Sequence, residues 1–408
     1  MDFAAAVEYL LGLGNEILTL KLGLRNTELL LQSLDNPEHA YPAVQIAGTN
    51  GKGSTAAMLD SICRAAGIRS GLYTSPHLVS ITERIRLAGE QISEADFARH
   101  TTTVREASEH LVASGQIEAM PTFFEQMTGI GLLAFRDARI ELAILETGMG
   151  GRLDSTTAAQ ADVVAITRIA MDHERHLGET IEQIAGEKAA IIRPGVKAIL
   201  AKQQPEALSV LLHRCAETGV EPVLADSAPA TVDVTQIRIG LRGRHQIDNA
   251  RVAIQLAESL SIPSDAIVAG IETTHHPGRL ELISNEPSVL LDGAHNPAGA
   301  ETLRDYLNEF NRRPLTIVFG AMADKKLERL GEILFPLADC LILTKIDNPR
   351  AAPLDALESI ASRFALKSVI KSETVTDALQ AALRNTPREG LICVTGSLYL
   401  IGEWKQIT

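Results

Sequence analysis

The stretch Gly48-Thr-Asn-Gly-Lys-Gly-Ser54 limits what this chain can fold into more than any other. It follows an apolar run, Ala43-Val-Gln-Ile-Ala47, that reads as a strand, and it precedes Thr55–Ala66, which reads as a helix. A glycine-rich turn in that place aims backbone N–H groups at an anion, and the helix N-terminus adds positive potential. Lys52 supplies a point charge for terminal phosphates. The order strand, turn, helix fits a loop that holds a nucleoside triphosphate. The spacing departs from the common phosphate-loop pattern. Ile46 stands where a glycine is usual, and Gly53, then Ser54, follow the lysine where Ser or Thr is usual.

A local loop can bind phosphate inside an acidic protein. The net charge of −13 argues against nucleic acid or an anionic membrane as the main partner, and leaves small anionic ligands open. The 408 residues leave room for two or three domains. The four cysteines, Cys63, Cys215, Cys340 and Cys393, form no CxxC pair. They read as buried thiols of a reducing compartment. Met1-Asp-Phe-Ala lacks the basic start of a secretory signal, and no apolar run approaches the ~18 residues of a membrane span. The expectation is a cytoplasmic monomer without nucleic-acid or membrane partners.

Wholly apolar strand candidates recur at Val44–Ala47, Leu142–Leu145, Val163–Thr167, Ala198–Ala201, Val289–Leu291, Leu315–Phe319, Cys340–Leu343 and Leu391–Val394. Helical patterns lie between many of them. Such strands indicate a mostly parallel sheet covered on both faces. Pro277 and Gly278 break a helical pattern, and a fresh strand starts beyond Pro287. The expected architecture is α/β. Residues 1–280 form a phosphate-loop domain with a mostly parallel sheet, and 281–408 a smaller doubly wound, Rossmann-like domain.

Glu146 ends the apolar run Leu142–Leu145 and is followed by Thr-Gly-Met-Gly-Gly. An acidic residue at that strand end is where nucleotide-binding sheets hold Mg²⁺. Asp172 and His173 follow the next strand at the same sheet edge, although hard cations prefer oxygen to imidazole. Lys188 precedes an apolar run. It reads either as a snorkelling helix-end lysine or as a buried, reactive amine, and spacing does not choose. Arg279 offers a fork for phosphate or carboxylate. Asp292 and His295 lie at the carboxyl edge of the second sheet, as ligands or as turn and helix caps.

Taken in order, several motifs resemble those of folylpolyglutamate synthases, some of which also have dihydrofolate synthase activity, within the Mur ligase superfamily. They are Ala47–Ser54, Tyr73-Thr-Ser-Pro-His-Leu78 with Glu83-Arg-Ile85, Thr122-Phe-Phe-Glu125, Glu146–Asp154, Met171-Asp-His173 and Glu187-Lys-Ala189. Further on come Gly243–Ala250, Arg279-Leu-Glu281, Asp292–Pro297, Ala323-Asp-Lys325 and Gly396–Leu400. The resemblance implies that ATP phosphorylates a folate carboxylate and that the amine of L-glutamate displaces phosphate. It implies that Gly51, Lys52, Gly53 and Ser54 hold the ATP phosphates. Ser75 and Glu146 then bind one Mg²⁺ and His173 a second, with Lys188 carboxylated on its side chain. By the same resemblance Asn249, Arg279 and Asp292 contact ATP, with His295 beside them. Thr122, Phe123, Phe124 and Glu125, and Leu153, Asp154 and Ser155, correspond to pterin-binding segments. Leu22-Gly-Leu-Arg25 resembles the pterin loop of the bifunctional members.

The chain departs from the family at Thr157, where Asn is common, at Ala190, where Gly is usual, and at His276, where a Trp usually stands. None of these removes a phosphate or metal ligand; all bear on substrate preference. The competing readings are a Mur-type ligase on another carboxylate and a nucleotide-dependent switch. Phosphate release that needs both a folate and glutamate separates the three.

Overall fold

Ala43–Ala47 forms β1, and all five of its residues are buried. In a sheet with helices on both faces, a central strand has no solvent side and its sequence reads apolar throughout. The computed structural model describes residues 1–14, 23–310 and 312–408. Leu22 of the expected pterin loop lies outside the described residues. The chain divides into two units, Met1–Gly240 with Ile247–Thr274, and Leu241–Gln246 with His275–Thr408.

The first unit is built on β1, β2 (Ser70–Tyr73), β3 (Ile85–Leu87), β4 (Glu90–Gln91), β5 (Leu142–Glu146), β6 (Val163–Ile166), β7 (Lys197–Leu200) and β8 (Val223–Leu224). Their order is β4-β3-β2-β5-β1-β6-β7-β8. β1 lies between β5 and β6, parallel to both. In this sheet β3 runs antiparallel to its neighbours β2 and β4, and the other described pairings are parallel. One buried cluster includes Tyr73, Phe97, Met127, Phe135 and Leu145, and another Ala47, Val164, Ile166, Ile184, Leu200 and Leu211. The parallel arrangement brings the carboxyl ends of the central strands to one edge, where open α/β sheets bind ligands.

The helix Lys52–Ala65 starts directly at the glycine turn. It packs tightly against the helix Ser264–Thr273 at Gly270. A Cβ added there would lie 2.4 Å from the Ile62 Cα and 2.5 Å from its backbone nitrogen. Only glycine allows two helix backbones so near.

The second unit contains β9 (Glu281–Asn285), β10 (Ser288–Asp292), β11 (Leu315–Phe319), β12 (Cys340–Thr344), β13 (Val369–Ser372) and β14 (Leu391–Thr395). The order is β13-β12-β11-β14-β10-β9, parallel except for β9. Its core includes Leu290, Leu303, Phe319, Leu334, Phe335 and Cys393. Every strand expected from the sequence is present, and the α/β class with two parallel-dominated sheets is as expected. The added strands are short or lie at edges. β4 is exposed, and β13 alternates between exposed and half-buried positions before Ser372. The four cysteines are buried and unpaired. Among the described residues no helix is long and apolar enough to cross a membrane.

Gly270→Ala should force the two helices apart and lower stability by about 1–3 kcal/mol, the usual range for overpacking a tight core. Urea denaturation followed by circular dichroism measures this; an unchanged midpoint would refute the tight-contact account.

Candidate active site

The phosphate loop leaves β1 at Gly48 and is fastened to the strand beside it. The N–H groups of Thr49 and Asn50 donate to the Arg168 carbonyl at 3.0 and 3.1 Å. The Thr49 hydroxyl donates to the Ala170 carbonyl at 3.0 Å, and the Ala170 N–H donates back to that hydroxyl at 3.1 Å. These bonds fix the loop relative to the segment that carries Asp172 and His173. Gly51 caps the helix with φ +94°, a conformation glycine adopts without strain. A Cβ there would come within 2.2 Å of the Asn249 Oδ1, so Asn249 packs directly on the loop. Gly53 and Ser54 occupy the first helical turn and are buried.

Two lysines meet at one atom. Lys52 Nζ donates to the Gly48 carbonyl at 3.2 Å and to that of Thr49 at 3.4 Å. Lys188, in the last turn of the helix Ile181–Ala189, donates to the same Gly48 carbonyl at 2.9 Å. Lys188 is only 4% exposed. Burial pushes its ammonium down to about 7, Lys52 adds to the shift, and Asp172, Asp154 and Glu187 oppose it. Of the two readings that spacing left open, the structure selects the buried amine.

Glu146 ends β5 in register with Ile46 of β1 and is 6% exposed. Its Oε2 accepts the Ser75 N–H at 3.3 Å, which brings these two expected ligands together. The buried hydroxyl of Thr147, next in the chain, has no hydrogen-bond partner. Carboxylate and hydroxyl oxygens suit a hard divalent cation, so the donor set around Glu146 fits Mg²⁺. Lys188 does not fit as an amine, because it donates a proton to a carbonyl; a carbamate would supply oxygen instead. His173 has a left-handed backbone, φ 53°, and its N–H donates to its neighbour's Asp172 Oδ1 at 2.9 Å. Among the described residues, no cluster of three His, Cys, Asp or Glu side chains forms a metal cage.

The expected pterin segments flank this edge. Thr122 and Glu125 form a capping box for the helix Phe123–Asp137. The Glu125 N–H donates to the Thr122 hydroxyl at 3.3 Å, and the Thr122 N–H to the Glu125 carboxylate at 2.7 Å. Both side chains therefore have a structural task of their own. The Arg84 guanidinium lies 5.2 Å from the Phe123 ring centre. Phe124 stands edge-on to Tyr73 and its ring packs on Gly148. Leu153 is 40% exposed beside buried Asp154 and Ser155. The Asp154 carboxyl accepts from Met149 N, Thr156 N and the Thr156 hydroxyl, and burial still raises its proton affinity.

Arg279, Asp292 and His295 gather in the second unit. Asp292 is buried at the end of β10. Its Oδ2 accepts from Leu280 N and its Oδ1 from Ala294 N, both at 3.0 Å. Burial raises its carboxyl, against the pull of Arg279. His295 Nδ1 lies 2.8 Å from the Gly293 carbonyl. The two turns are zipped by Gly293 N to Gly278 O at 2.9 Å, and Glu281 accepts from Gly278 N and from Lys405. Asp292 is thus a turn organiser in its own unit. Gln45 and Thr156 lie outside the motifs quoted from the sequence, and Arg84 lies inside one without a role of its own. Gln45 carried a signal, since it is the one polar residue in the apolar run Ala43–Ala47.

Two family models match the chain: the Mur ligase middle domain over residues 46–257 and the Mur ligase glutamate ligase domain over 278–398. A Bacillus subtilis protein named dihydrofolate synthase/folylpolyglutamate synthase is 35% identical, the match covering 95% of each chain. A Haloferax volcanii protein named probable bifunctional folylpolyglutamate synthase/dihydropteroate synthase is 34% identical over 99% of this chain, which spans 50% of that longer relative. Among solved structures, a Mycobacterium tuberculosis folylpolyglutamate synthase complexed with ADP and AMPPCP superposes with TM-score 0.90 at 32% identity, covering 100% and 99% of the two chains. A bifunctional folylpolyglutamate synthase/dihydrofolate synthase solved with Mn, AMPPNP and L-glutamate bound gives TM-score 0.88 at 28% identity, covering 100% and 98% of the two chains.

The buried lysine makes a signed prediction. Below pH 7 Lys188 is charged in both folded and unfolded chains, and folding bears the whole cost of burying it. Between about 7 and 10.5 the folded lysine is neutral while the unfolded one still holds its proton, so stability recovers by about 1.4 kcal/mol per pH unit. Lys188→Met should therefore gain more over the parent protein at pH 6 than at pH 9.5. Urea melts in nucleotide-free, CO₂-free buffer test this; equal gaps at both pH values would show that Lys188 carries no such penalty.

Proposed function

This chain belongs to the folylpolyglutamate synthase/dihydrofolate synthase family of Mur ligases, and from that membership and the site geometry we propose how its own residues carry out ligation. It is an ATP-dependent ligase that joins L-glutamate to a folate, using a divalent metal. The observation that carries the residue assignment is the convergence of Lys52 and Lys188 on the Gly48 carbonyl, at the strand edge that also holds Glu146 and Ser75.

A carboxylate is a poor electrophile, so the reaction needs a leaving group. A folate carboxylate oxygen attacks the γ-phosphorus of ATP and ADP departs. The glutamate amine then attacks the acyl carbon, loses a proton, and phosphate leaves. Lys52 turns from the loop carbonyls to the β- and γ-phosphates and offsets the charge that builds up on them. Gly51, Gly53 and Ser54 supply the N–H groups and hydroxyl of the helix start, and Asn249 braces the loop from outside. Glu146 and Ser75 would hold one Mg²⁺, and His173 with a carboxylated Lys188 a second; bound there, the metal would neutralise the transferring phosphoryl group. Arg279, Asp292 and His295 form a polar group of the second unit that serves the same reaction.

Lys188 suits carboxylation because its depressed proton affinity leaves much of it as free amine near neutral pH. The amine nitrogen adds to the carbon of CO₂ and releases one proton, and a cation becomes an oxygen ligand. Phe123, Phe124, Leu153 and Ser155 line the folate side, on a frame set by Thr122, Glu125 and Asp154. We assign both acceptors, dihydropteroate and reduced folate, to this site.

Purified protein with ATP, Mg²⁺ and L-glutamate should release phosphate only when dihydropteroate or a reduced folate is also present. Release that ignores glutamate would overturn the ligase reading. Lys52→Ala and Glu146→Ala should each lower ligation at least roughly a hundredfold while leaving circular dichroism unchanged. Turnover near that of the parent protein would remove the residue from its role. With ¹³C-bicarbonate, the parent protein should show a carbamate carbon signal in NMR that Lys188→Arg lacks, along with lost activity. A fully active Lys188→Arg protein would refute the carboxylation.

A further inference from the structure

Gln45 breaks the pattern of the strand that holds it. Its side chain is 0% exposed, three residues before the phosphate loop begins. Its Nε2 donates to the hydroxyls of Thr156 at 2.9 Å and Thr157 at 2.8 Å. Its Oε1 is buried and has no hydrogen-bond partner. A half-satisfied amide in a parallel sheet is costly, and an apolar side chain of similar shape would suit the core better. Stability does not account for this residue.

The two hydroxyls pass the bonding on. Thr156 Oγ1 donates to Asp154 Oδ1 at 2.5 Å, and Thr157 Oγ1 donates to the Gly151 carbonyl at 2.7 Å. Each hydroxyl has one proton, so accepting from Gln45 commits that proton to the loop. A carbonyl oxygen facing the threonines would claim the same protons and release Asp154 and Gly151. Asp154 in turn accepts the Met149 N–H at 2.8 Å, so the bonding reaches back towards Gly148, against which Phe124 packs. Between the threonines and the aspartate, Ser155 lies 2.6 Å from the Thr128 hydroxyl on the helix Phe123–Asp137. Three consecutive hydroxyl residues thus tie the loop after β5 to β1 on one side and to the Phe123–Asp137 helix on the other.

We propose that Gln45, Thr156 and Thr157 are positioning residues for the folate acceptor: Gln45 directs the two threonine protons that hold the Gly148–Ser155 loop at a set height over β1. The inference rests on the reading that this loop and Thr122–Glu125 face the folate. Thr157, where Asn is usual for the family, is accounted for by its place in this chain of donors.

The test is Gln45→Met, close in shape but without donors, in the full chain. The melting temperature should equal or exceed that of the parent protein, the KM for reduced folate should rise roughly tenfold, and the KM for ATP should stay put. Thr157→Val should copy that effect, and Thr157→Ser, which keeps the hydroxyl, should restore parent values. The Thr157 pair carries the test alone if Gln45→Met does not fold. Folate KM unchanged in both Gln45→Met and Thr157→Val would overturn the assignment, as would a lowered melting temperature with kcat falling for every substrate alike. A parent protein inactive on folates overturns the functional reading itself and the assignment with it.

Discussion

The first unit turns on a single carbonyl oxygen, that of Gly48, which accepts hydrogen bonds from two lysines. A carbonyl carries only partial negative charge, so two cations at one such atom are poorly balanced. Lys52 is half-buried on its own loop, and a side chain reached from solvent tolerates this. Lys188 is enclosed, and the imbalance shows as a proton held weakly near neutrality. A polyphosphate in the loop would supply the missing negative charge. The glycine turn, the last turn of the helix Ile181–Ala189 and the end of β1 are three separate pieces of chain, and they meet at this atom.

What brings them together is the sheet. Parallel strands present their carboxyl ends along one edge. Glu146 pairs in register with Ile46, two residues before Gly48, and Thr147 N donates to the Ile46 carbonyl at 3.0 Å. The Glu146 carboxylate and the glycine turn are therefore held at a separation fixed by backbone bonds rather than by flexible side chains. β6 contributes in the same way, since its continuation supplies the Arg168 carbonyl and Ala170 contacts that clamp the loop.

The central strands could be read from the sequence because burial on both faces leaves no room for polar alternation. β2, β3, β4, β8, β9 and β13 were not expected: β4, β8, β9 and β13 are edge strands, which carry the same residues as loops, and β2, though buried, is only the short run Ser-Gly-Leu-Tyr. The glycine turn after β1 and the strand-end place of Glu146 were legible because both follow from neighbours in the chain. Lys188 was not: a lysine at a helix end looks the same whether it meets solvent or a carbonyl 140 residues away. The same limit applies to Gln45, whose partners lie 111 and 112 residues downstream. The Thr122–Glu125 capping box is a different case. Its Thr-x-x-Glu spacing is written in the chain, and the capping role holds whether or not the same residues face a pterin.

Unsatisfied buried atoms extend the argument to both units. Thr147 follows β5, Thr344 ends β12 and Thr395 ends β14, and all three hydroxyls are buried without a partner. Thr55, next to Ser54 in the first turn of the phosphate-loop helix, is a fourth. Glu38, Arg193 and Trp404 also carry such atoms and do not follow the pattern, so the cost is not confined to strand ends. Even so, a core threonine is easily exchanged for valine, which fills the same space and removes the penalty. Chains tend to break the rule of full pairing at functional sites. Three of these hydroxyls stand at the carboxyl ends of parallel strands, in both sheets, the edge at which open α/β sheets bind ligands. The Oε1 of Gln45, two residues inside the carboxyl end of β1, is unpaired in the same way.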